Sequence, residues 1–214
     1  MIKRLRMSLW LIAAFAVALA VNAQLGPKFH GLRKLHVGAG YCWPTPPSFG
    51  NSVPIDIIQF GVADPYPSDI VISCLDPARK IVHIEVGING LSHRFPDDID
   101  MLLVAPNGES VVLMSDCGGD TDMTSVYLKF TDTAVAFLPN TTAITSGTYL
   151  PTNYGAGDPF TPPAPVGAPT YTDFNNSAFL GGSPNGTWSL YIMDDTGGDG
   201  GSITSWYVLF QLNP

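Results

Sequence analysis

Short runs of β-branched and aromatic residues, separated by turn residues about every ten positions, dominate the chain from Pro67 onward. Each run is long enough for one strand and too short for a stable helix. The strands expected from this pattern are 70–73, 81–88, 99–105, 110–114, 126–130, 187–193 and 206–212. The spacing therefore predicts an all-β sandwich or barrel, built from two stacked antiparallel sheets.

Two local patterns refine this expectation. Pro106, Asn107 and Gly108 separate two of the runs, and an Asn-Gly pair accepts the positive φ of a tight hairpin turn. In the last run, Trp206 alternates in phase with other large apolar residues. The pattern predicts that Trp206 and Trp188 lie in the core rather than on a sugar-binding platform, because a Trp flanked by inward-facing aliphatic residues buries its ring.

Residues 131–186 are rich in Pro, Gly, Thr and Asn. Closely spaced prolines cannot donate a regular ladder of hydrogen bonds. We expect long surface connections that cross one end of the sandwich, with room for a short strand or two.

The N-terminus has the pattern of an export signal. Lys3, Arg4 and Arg6 precede an apolar run at 9–21 that closes on small residues. The run is shorter than the ~20 residues that span a bilayer, which favours a signal peptide cleaved after Ala23 over an uncleaved anchor. The expected organisation is a signal peptide at 1–23, an extended Gly/Pro-rich lead-in at 24–61 and one domain at 62–214. The mature protein would be secreted or periplasmic, with no membrane span.

Charge limits the class of partner. The chain carries 10 Lys and Arg against 18 Asp and Glu, so its formal charge is -8. Cleavage after Ala23 removes three basic residues and leaves 7 - 18 = -11. Because no Lys or Arg follows Lys129, nucleic acid is not an expected partner.

The cysteines leave their pairing open. Cys42, Cys74 and Cys117 cannot all pair within one chain. Export favours one disulfide among three possible pairings, whereas burial statistics equally allow Cys74 and Cys117 to be buried thiols.

Two motifs lie about 90 residues apart in the sequence. The first combines a His, an acidic strand opening and a Pro-Asn-Gly turn: Leu91, Ser92, His93, Asp97, Asp98, Ile99, Asp100, Leu102, Leu103, Val104, Ala105, Pro106, Asn107 and Gly108. The second combines two Trp strands with an acidic Gly-rich loop: Asn185, Gly186, Thr187, Trp188, Ser189, Leu190, Asp194, Asp195, Gly198, Asp199, Gly200, Gly201, Ser205 and Trp206. Together they resemble the P domain, or P/Homo B domain, of proprotein convertases, in a stand-alone member of the exported bacterial type.

The resemblance implies a β-sandwich of jelly-roll type. In the convertases this domain packs on a subtilisin-like protease, is needed for its folding, and tunes its calcium and pH dependence. The protease motifs are missing here: the chain has no His-Gly-Thr and no Gly-Thr-Ser sequence. The string Asp195, Thr196, Gly197 imitates a protease Asp loop, but a triad is defined by its partners and their geometry.

The expected function is therefore that of an exported, non-catalytic module for binding or stabilisation, which is not an enzyme. The alternative is an accessory component of subtilisin-like serine endopeptidase proteolysis, whose partner would be a separate protease or another exported protein.

Clustered carboxylates suggest a calcium site. Calcium prefers six to eight oxygen ligands, and Asp residues separated by Gly supply them in a bendable loop. The first choice is Asp116, Asp120 and Asp122; the second is Asp97, Asp98 and Asp100; and a third group is Asp194, Asp195 and Asp199. The alternative is that these are solvated turns, since Asp bonds its own backbone.

His93 lies close to the second acidic group in the sequence. It is expected to cap a turn or fill a polar gap, with a pH response as the alternative.

Overall fold

Thirteen strands and one short 3₁₀ helix make up the regular structure of residues 48–155, 160–165, 173–175 and 179–214, which the computed structural model describes. The predicted signal peptide, its cleavage at Ala23 and lead-in residues 24–47 lie outside the described residues. The strands are β1 Ser48–Asn51, β2 Ile55–Ile57, β3 Gly61–Val62, β4 Ser68–Ile72, β5 Ile81–His93, β6 Ile99–Val104, β7 Ser110–Ser115, β8 Met123–Phe130, β9 Gly147–Tyr149, β10 Thr152–Asn153, β11 Gly186–Asp194, β12 Gly201–Ile203 and β13 Ser205–Leu212. The 3₁₀ helix is Pro96–Asp98.

The strands form two sheets. Sheet A has the order β1-β13-β5-β12-β2, with β8 on β5 and β9 on β8. Sheet B has the order β10-β7-β6-β11-β3, with β4 also on β11. The all-β sandwich predicted from the sequence is confirmed.

The sheets are mixed rather than wholly antiparallel. Strand β9 runs parallel to β8, and β10 runs parallel to β7. Both parallel strands belong to the connection between β8 and β11. This connection runs along the edges of the two sheets, in the same direction as the neighbouring strand of each sheet. The prediction of purely antiparallel sheets is corrected at these two edges.

Two strands of sheet A lie in a stretch that the sequence assigned to the lead-in. Strand β1 pairs with β13, and β2 pairs with β12. These strands have only four and three residues, too few to produce a visible alternation among the neighbouring Gly and Pro residues.

The core lies between the sheets and contains both Trp residues, as predicted. Trp188 and Trp206 are at most 1% exposed, and the rings of Trp188 and Phe210 are 5.2 Å apart. The Trp206 indole N–H donates to Ser68 Oγ at 2.9 Å. Because Trp206 is in sheet A and Ser68 in sheet B, this bond links the two layers.

A second apolar cluster covers the outer face of sheet B. Leu102, Val112 and Tyr191 pack there with Ala164. The Tyr191 hydroxyl donates to the Pro163 carbonyl at 3.3 Å. The Pro-rich connection, where it is described, therefore crosses a sheet face rather than one end of the sandwich.

The cysteines differ in state. Cys74 is disulfide-bonded, whereas Cys117 is a free, fully buried thiol. The two pairings that use Cys117 are thus excluded, and Cys42 lies outside the described residues. Burial raises the pKa of the Cys117 thiol to about 12, so this thiol remains protonated and unreactive.

In the part of the chain that the structure describes, no helix has the length and the apolar character needed to cross a membrane.

Replacing Trp206 tests the packing of the core. We expect Trp206→Ala to lower the free energy of unfolding by about 3 to 5 kcal/mol, because it leaves a large cavity and removes the donor to Ser68. Trp206→Phe should cost less, since it retains most of the apolar volume. Urea unfolding followed by circular dichroism measures both, and near-native stability of Trp206→Ala would contradict the core assignment.

Candidate functional site

The ends of two strands bring a histidine and an aspartate together inside the sandwich. His93 is the last residue of β5 in sheet A, and Asp194 is the last residue of β11 in sheet B. Their side chains are fully buried, with His93 Nε2 3.1 Å from Asp194 Oδ2. One buried contact between ionisable groups therefore joins the two sheets at this end.

Glycine leaves room for the imidazole. Gly201 of β12 pairs with His93, and a Cβ at this position would lie 2.7 Å from His93 Cδ2 and overlap the Ser92 carbonyl. A glycine in a strand marks such a close approach. Gly201, which follows the Gly-rich loop after Asp194, thus leaves room for the His93 ring.

Both imidazole nitrogens have partners. Nε2 faces Asp194, while Nδ1 lies 2.9 Å from the Phe95 carbonyl oxygen and 3.2 Å from the Phe95 amide nitrogen. The sequence expectation that His93 caps a turn holds for Nδ1. The contact with Asp194 was missed, because the two residues are 101 positions apart and nothing local in the sequence connects them.

Further carboxyl groups lie beside the pair. Asp194 Oδ1 accepts from the Thr196 amide, and the Asp98 carbonyl accepts from the Asp195 amide. Burial raises the pKa of the Asp194 carboxyl, while His93 opposes the rise. Burial also raises the pKa of Asp98 to about 6, with additional repulsion from the charges of Asp194 and Asp195.

The first two of the predicted calcium groups occupy different environments. In one, Asp98 and Asp100 are buried and Asp97 is half-buried. In the other, Asp120 and Asp122 are exposed, and half-buried Asp116 accepts from the Ser115 hydroxyl at 3.0 Å; Asp116 has a φ of 51°.

The loop after Asp116 folds against protein. Gly118 and Gly119 have positive φ, as a tightly bent loop requires. The Gly118 amide donates to the carbonyls of Pro139 and Asn140. Over the described ranges, no three His, Cys, Asp or Glu side chains converge closely enough to hold a metal ion. Calcium binding stays a prediction.

The chemistry of the His93–Asp194 pair follows from its isolation from solvent. A buried imidazole and carboxylate can exchange a proton and hold two elements in register, but a substrate has no route to either group. The pair is therefore suited to hold the two sheets together through a buried polar contact.

Comparisons with known proteins give no family assignment. No protein-family model and no curated protein matches the chain. Two solved structures are similar to it. The crystal structure of the serine protease of Aeromonas sobria is 15% identical, with a TM-score of 0.35. The complex of an Aeromonas sobria serine protease with its chaperone gives 16% identity and a TM-score of 0.36. Each match covers 81% of this chain and 28% of the other. Likeness at this level does not establish function.

Asp98 is expected to make the protein less stable as the pH rises. Its native pKa of about 6 is above the ordinary value of 3.8, so the native state binds a proton that the unfolded chain releases. The contribution of Asp98 to the free energy of unfolding is therefore fully present below pH 4 and is lost as the pH rises from 4 to 6. At about 1.4 kcal/mol per pKa unit, the loss is at most about 3 kcal/mol.

The variant Asp98→Asn should reduce this dependence and be more stable than the wild type at pH 7. Urea unfolding between pH 4 and 7 measures the slope. Asp56→Asn is the control, because Asp56 is exposed and belongs to none of the predicted calcium groups. An unchanged slope in Asp98→Asn would contradict the assignment.

Proposed function

We propose that this chain is an exported, non-catalytic module that resembles a P domain and acts by binding or stabilising another protein. The observation that carries the proposal is the state of His93. A serine protease needs an imidazole with one nitrogen facing a serine and the other facing an aspartate. Here one nitrogen faces Asp194 and the other faces the Phe95 backbone, and the ring is closed to solvent.

The second described histidine also lacks this arrangement. His83 Nε2 lies 3.5 Å from Glu85 Oε1 and 3.4 Å from Thr131 Oγ1. One nitrogen serves both contacts, whereas a base in a triad uses its two nitrogens for different partners. Glu85 also pairs with Lys129 at 3.3 Å, which makes this a surface charge network.

The two motifs that resemble the P domain form one structural unit. The first motif supplies the end of β5, the 3₁₀ helix and β6; the second supplies β11, β12 and the start of β13. Strands β6 and β11 are neighbours, with Leu103 opposite Leu190. This arrangement supports the proposal, because the residues that carry the resemblance contact each other. The contacts are the pairing of β6 with β11 and the contact between His93 and Asp194.

The resemblance also suggests which partner to test first. A separately encoded subtilisin-like protease is the class with which P domains act, and the chain would then be its accessory or regulatory component. Co-purification from the native medium distinguishes this from binding to another exported protein.

Assays on casein and gelatin test the absence of catalysis. The purified chain is expected to cleave neither substrate above the level of a buffer control, since neither described histidine faces a serine. A subtilisin sample is the positive control. Cleavage that copurifies with the chain and is abolished by a serine-directed inhibitor would overturn the proposal.

We further propose that calcium tightens at least one acidic loop. A ligand that binds only the native state at 100 times its dissociation constant adds about 2.7 kcal/mol. For a domain of this size, that corresponds to a rise in Tm of roughly 5 to 10 °C between chelator and calcium. Asp122→Asn should reduce the rise if the first-choice loop binds, whereas the control Glu109→Gln should retain it. Equal Tm values in calcium and chelator would contradict the proposal.

A further inference from the structure

Cys74 forms a disulfide, and the chain offers few partners for it. The sequence has three cysteines, Cys42, Cys74 and Cys117. Cys117 is a free thiol in the core, where its Sγ donates to the Ser115 carbonyl oxygen at 3.0 Å. Within one chain, Cys42, which lies outside the described residues, is therefore the cysteine that remains for Cys74.

The backbone beside Cys74 is held in place by a side chain from the segment before β11. The Leu75 amide donates to Asn185 Oδ1 at 3.1 Å, and Asn185 Nδ2 donates to the Leu75 carbonyl oxygen at 2.8 Å. Leu75 is buried, whereas Cys74 is half-buried. These contacts fix Cys74 at the border of the core, two residues after the end of β4.

Strand β1, which follows Cys42 in the chain, lies next to β4. The two strands contact each other, although they belong to different sheets. Asn51, the last residue of β1, donates from Nδ2 to Ser68 Oγ at 3.2 Å and to the Asp69 carbonyl oxygen at 3.0 Å. The end of β1 is therefore at the start of β4.

Aromatic contacts give the direction in which β1 runs along β4. The Phe49 ring is 6.5 Å from the Phe210 ring, which is 5.2 Å from the Trp188 ring. Trp188 lies opposite Ile70, in the middle of β4. The middle of β1 is thus level with the middle of β4, so the start of β1 lies at the end of β4, where Cys74 follows.

We propose that the partner of Cys74 is Cys42 of the same chain, and that their disulfide fastens the segment before β1 to the end of β4. Six residue steps separate Cys42 from Ser48, the first residue of β1. Six extended residues span at most about 20 Å. Because the start of β1 and the end of β4 are at the same end of the sandwich, this length lets the two Cα atoms approach within the roughly 7 Å that a disulfide requires.

Formation of the bond is a two-electron oxidation. The Cys42 and Cys74 thiols each lose a proton, and together they lose two electrons, as the Sγ–Sγ bond forms. The oxidant is another disulfide, that of oxidised glutathione or of a thiol oxidoreductase. Its S–S bond breaks, and it takes up both electrons and both protons as two thiols.

The bond closes a loop, at 42–74, that contains four short strands. Strands β1 and β2 belong to sheet A, and β3 and β4 belong to sheet B. None of the four is longer than five residues. Because a cross-link lowers the conformational entropy of the unfolded chain, closing this loop stabilises the native pairing of these strands.

Peptide mapping of the purified chain, equilibrated with oxidised and reduced glutathione, tests the pairing. No Lys or Arg lies between Lys34 and Arg79, so one tryptic peptide, 35–79, contains both cysteines. Without reduction, this peptide is expected to be lighter by two hydrogen atoms and to resist alkylation by iodoacetamide. A second cleavage at the aspartates between the cysteines should give two fragments that stay joined until dithiothreitol is added.

Thermal unfolding tests the stabilising role. Cys42→Ser and Cys74→Ser should each lower Tm by about 5 to 15 °C, and the double variant should have the same Tm as either single variant. Dithiothreitol should lower the Tm of the wild type by a similar amount and leave that of Cys42→Ser unchanged. Ser73→Ala is the matched control, because Ser73 is exposed beside Cys74 and its replacement should leave both the Tm and the response to dithiothreitol as in the wild type.

Three results would overturn the inference. One is alkylation of Cys42 in the native, unreduced chain. Another is a Cys74 fragment joined to Cys117 or to a second chain, the latter seen as a covalent dimer on a non-reducing gel. The third is a Tm of Cys42→Ser equal to that of the wild type.

Discussion

The contact between His93 and Asp194 constrains this structure more than any other polar interaction that we describe. It joins the last residue of β5 in one sheet to the last residue of β11 in the other, with both side chains fully buried. Loss of one partner from such a pair typically costs 3 to 5 kcal/mol, because the remaining charge is buried alone. The surrounding sequence follows from this requirement: Gly201 provides space for the ring, and the Thr196 amide satisfies the second carboxylate oxygen.

The same end of the sandwich separates two kinds of acidic residue. Asp98 and Asp194 face inward, where burial raises the pKa of both carboxyl groups. Asp56 and Asp199 line a groove beside β2 and β12, where Asp56 is exposed and Asp199 is half-buried. The inward carboxylates contribute to the contact between the sheets and to the pH dependence of stability, whereas the outward ones lie at the surface. This end of the sandwich therefore holds a buried contact that joins the two sheets.

The acidic motifs show which features of the site could be predicted from the sequence. Composition identified the three Asp-rich loops and the position of His93, but it grouped the carboxylates by their distance along the chain. Asp98 and Asp100 proved to be buried, and Asp120 and Asp122 exposed, because the direction of each side chain is set by the strand or turn that precedes it.

By itself, the sequence determined the seven longer strands, the hairpin at Pro106–Gly108 and the burial of Trp188 and Trp206, because alternation and turn chemistry are local properties. The shorter strands β1, β2, β3 and β12 came only from the tertiary structure, since two to four residues are too few to show a period and form strands only against an existing edge. The sequence left room for a short strand or two at 131–186, but the positions of β9 and β10 there came from the structure. The partner of His93, the free state of Cys117 and the cover over sheet B likewise depend on residues far apart in the chain. Packing of the two sheets decides which of these residues meet.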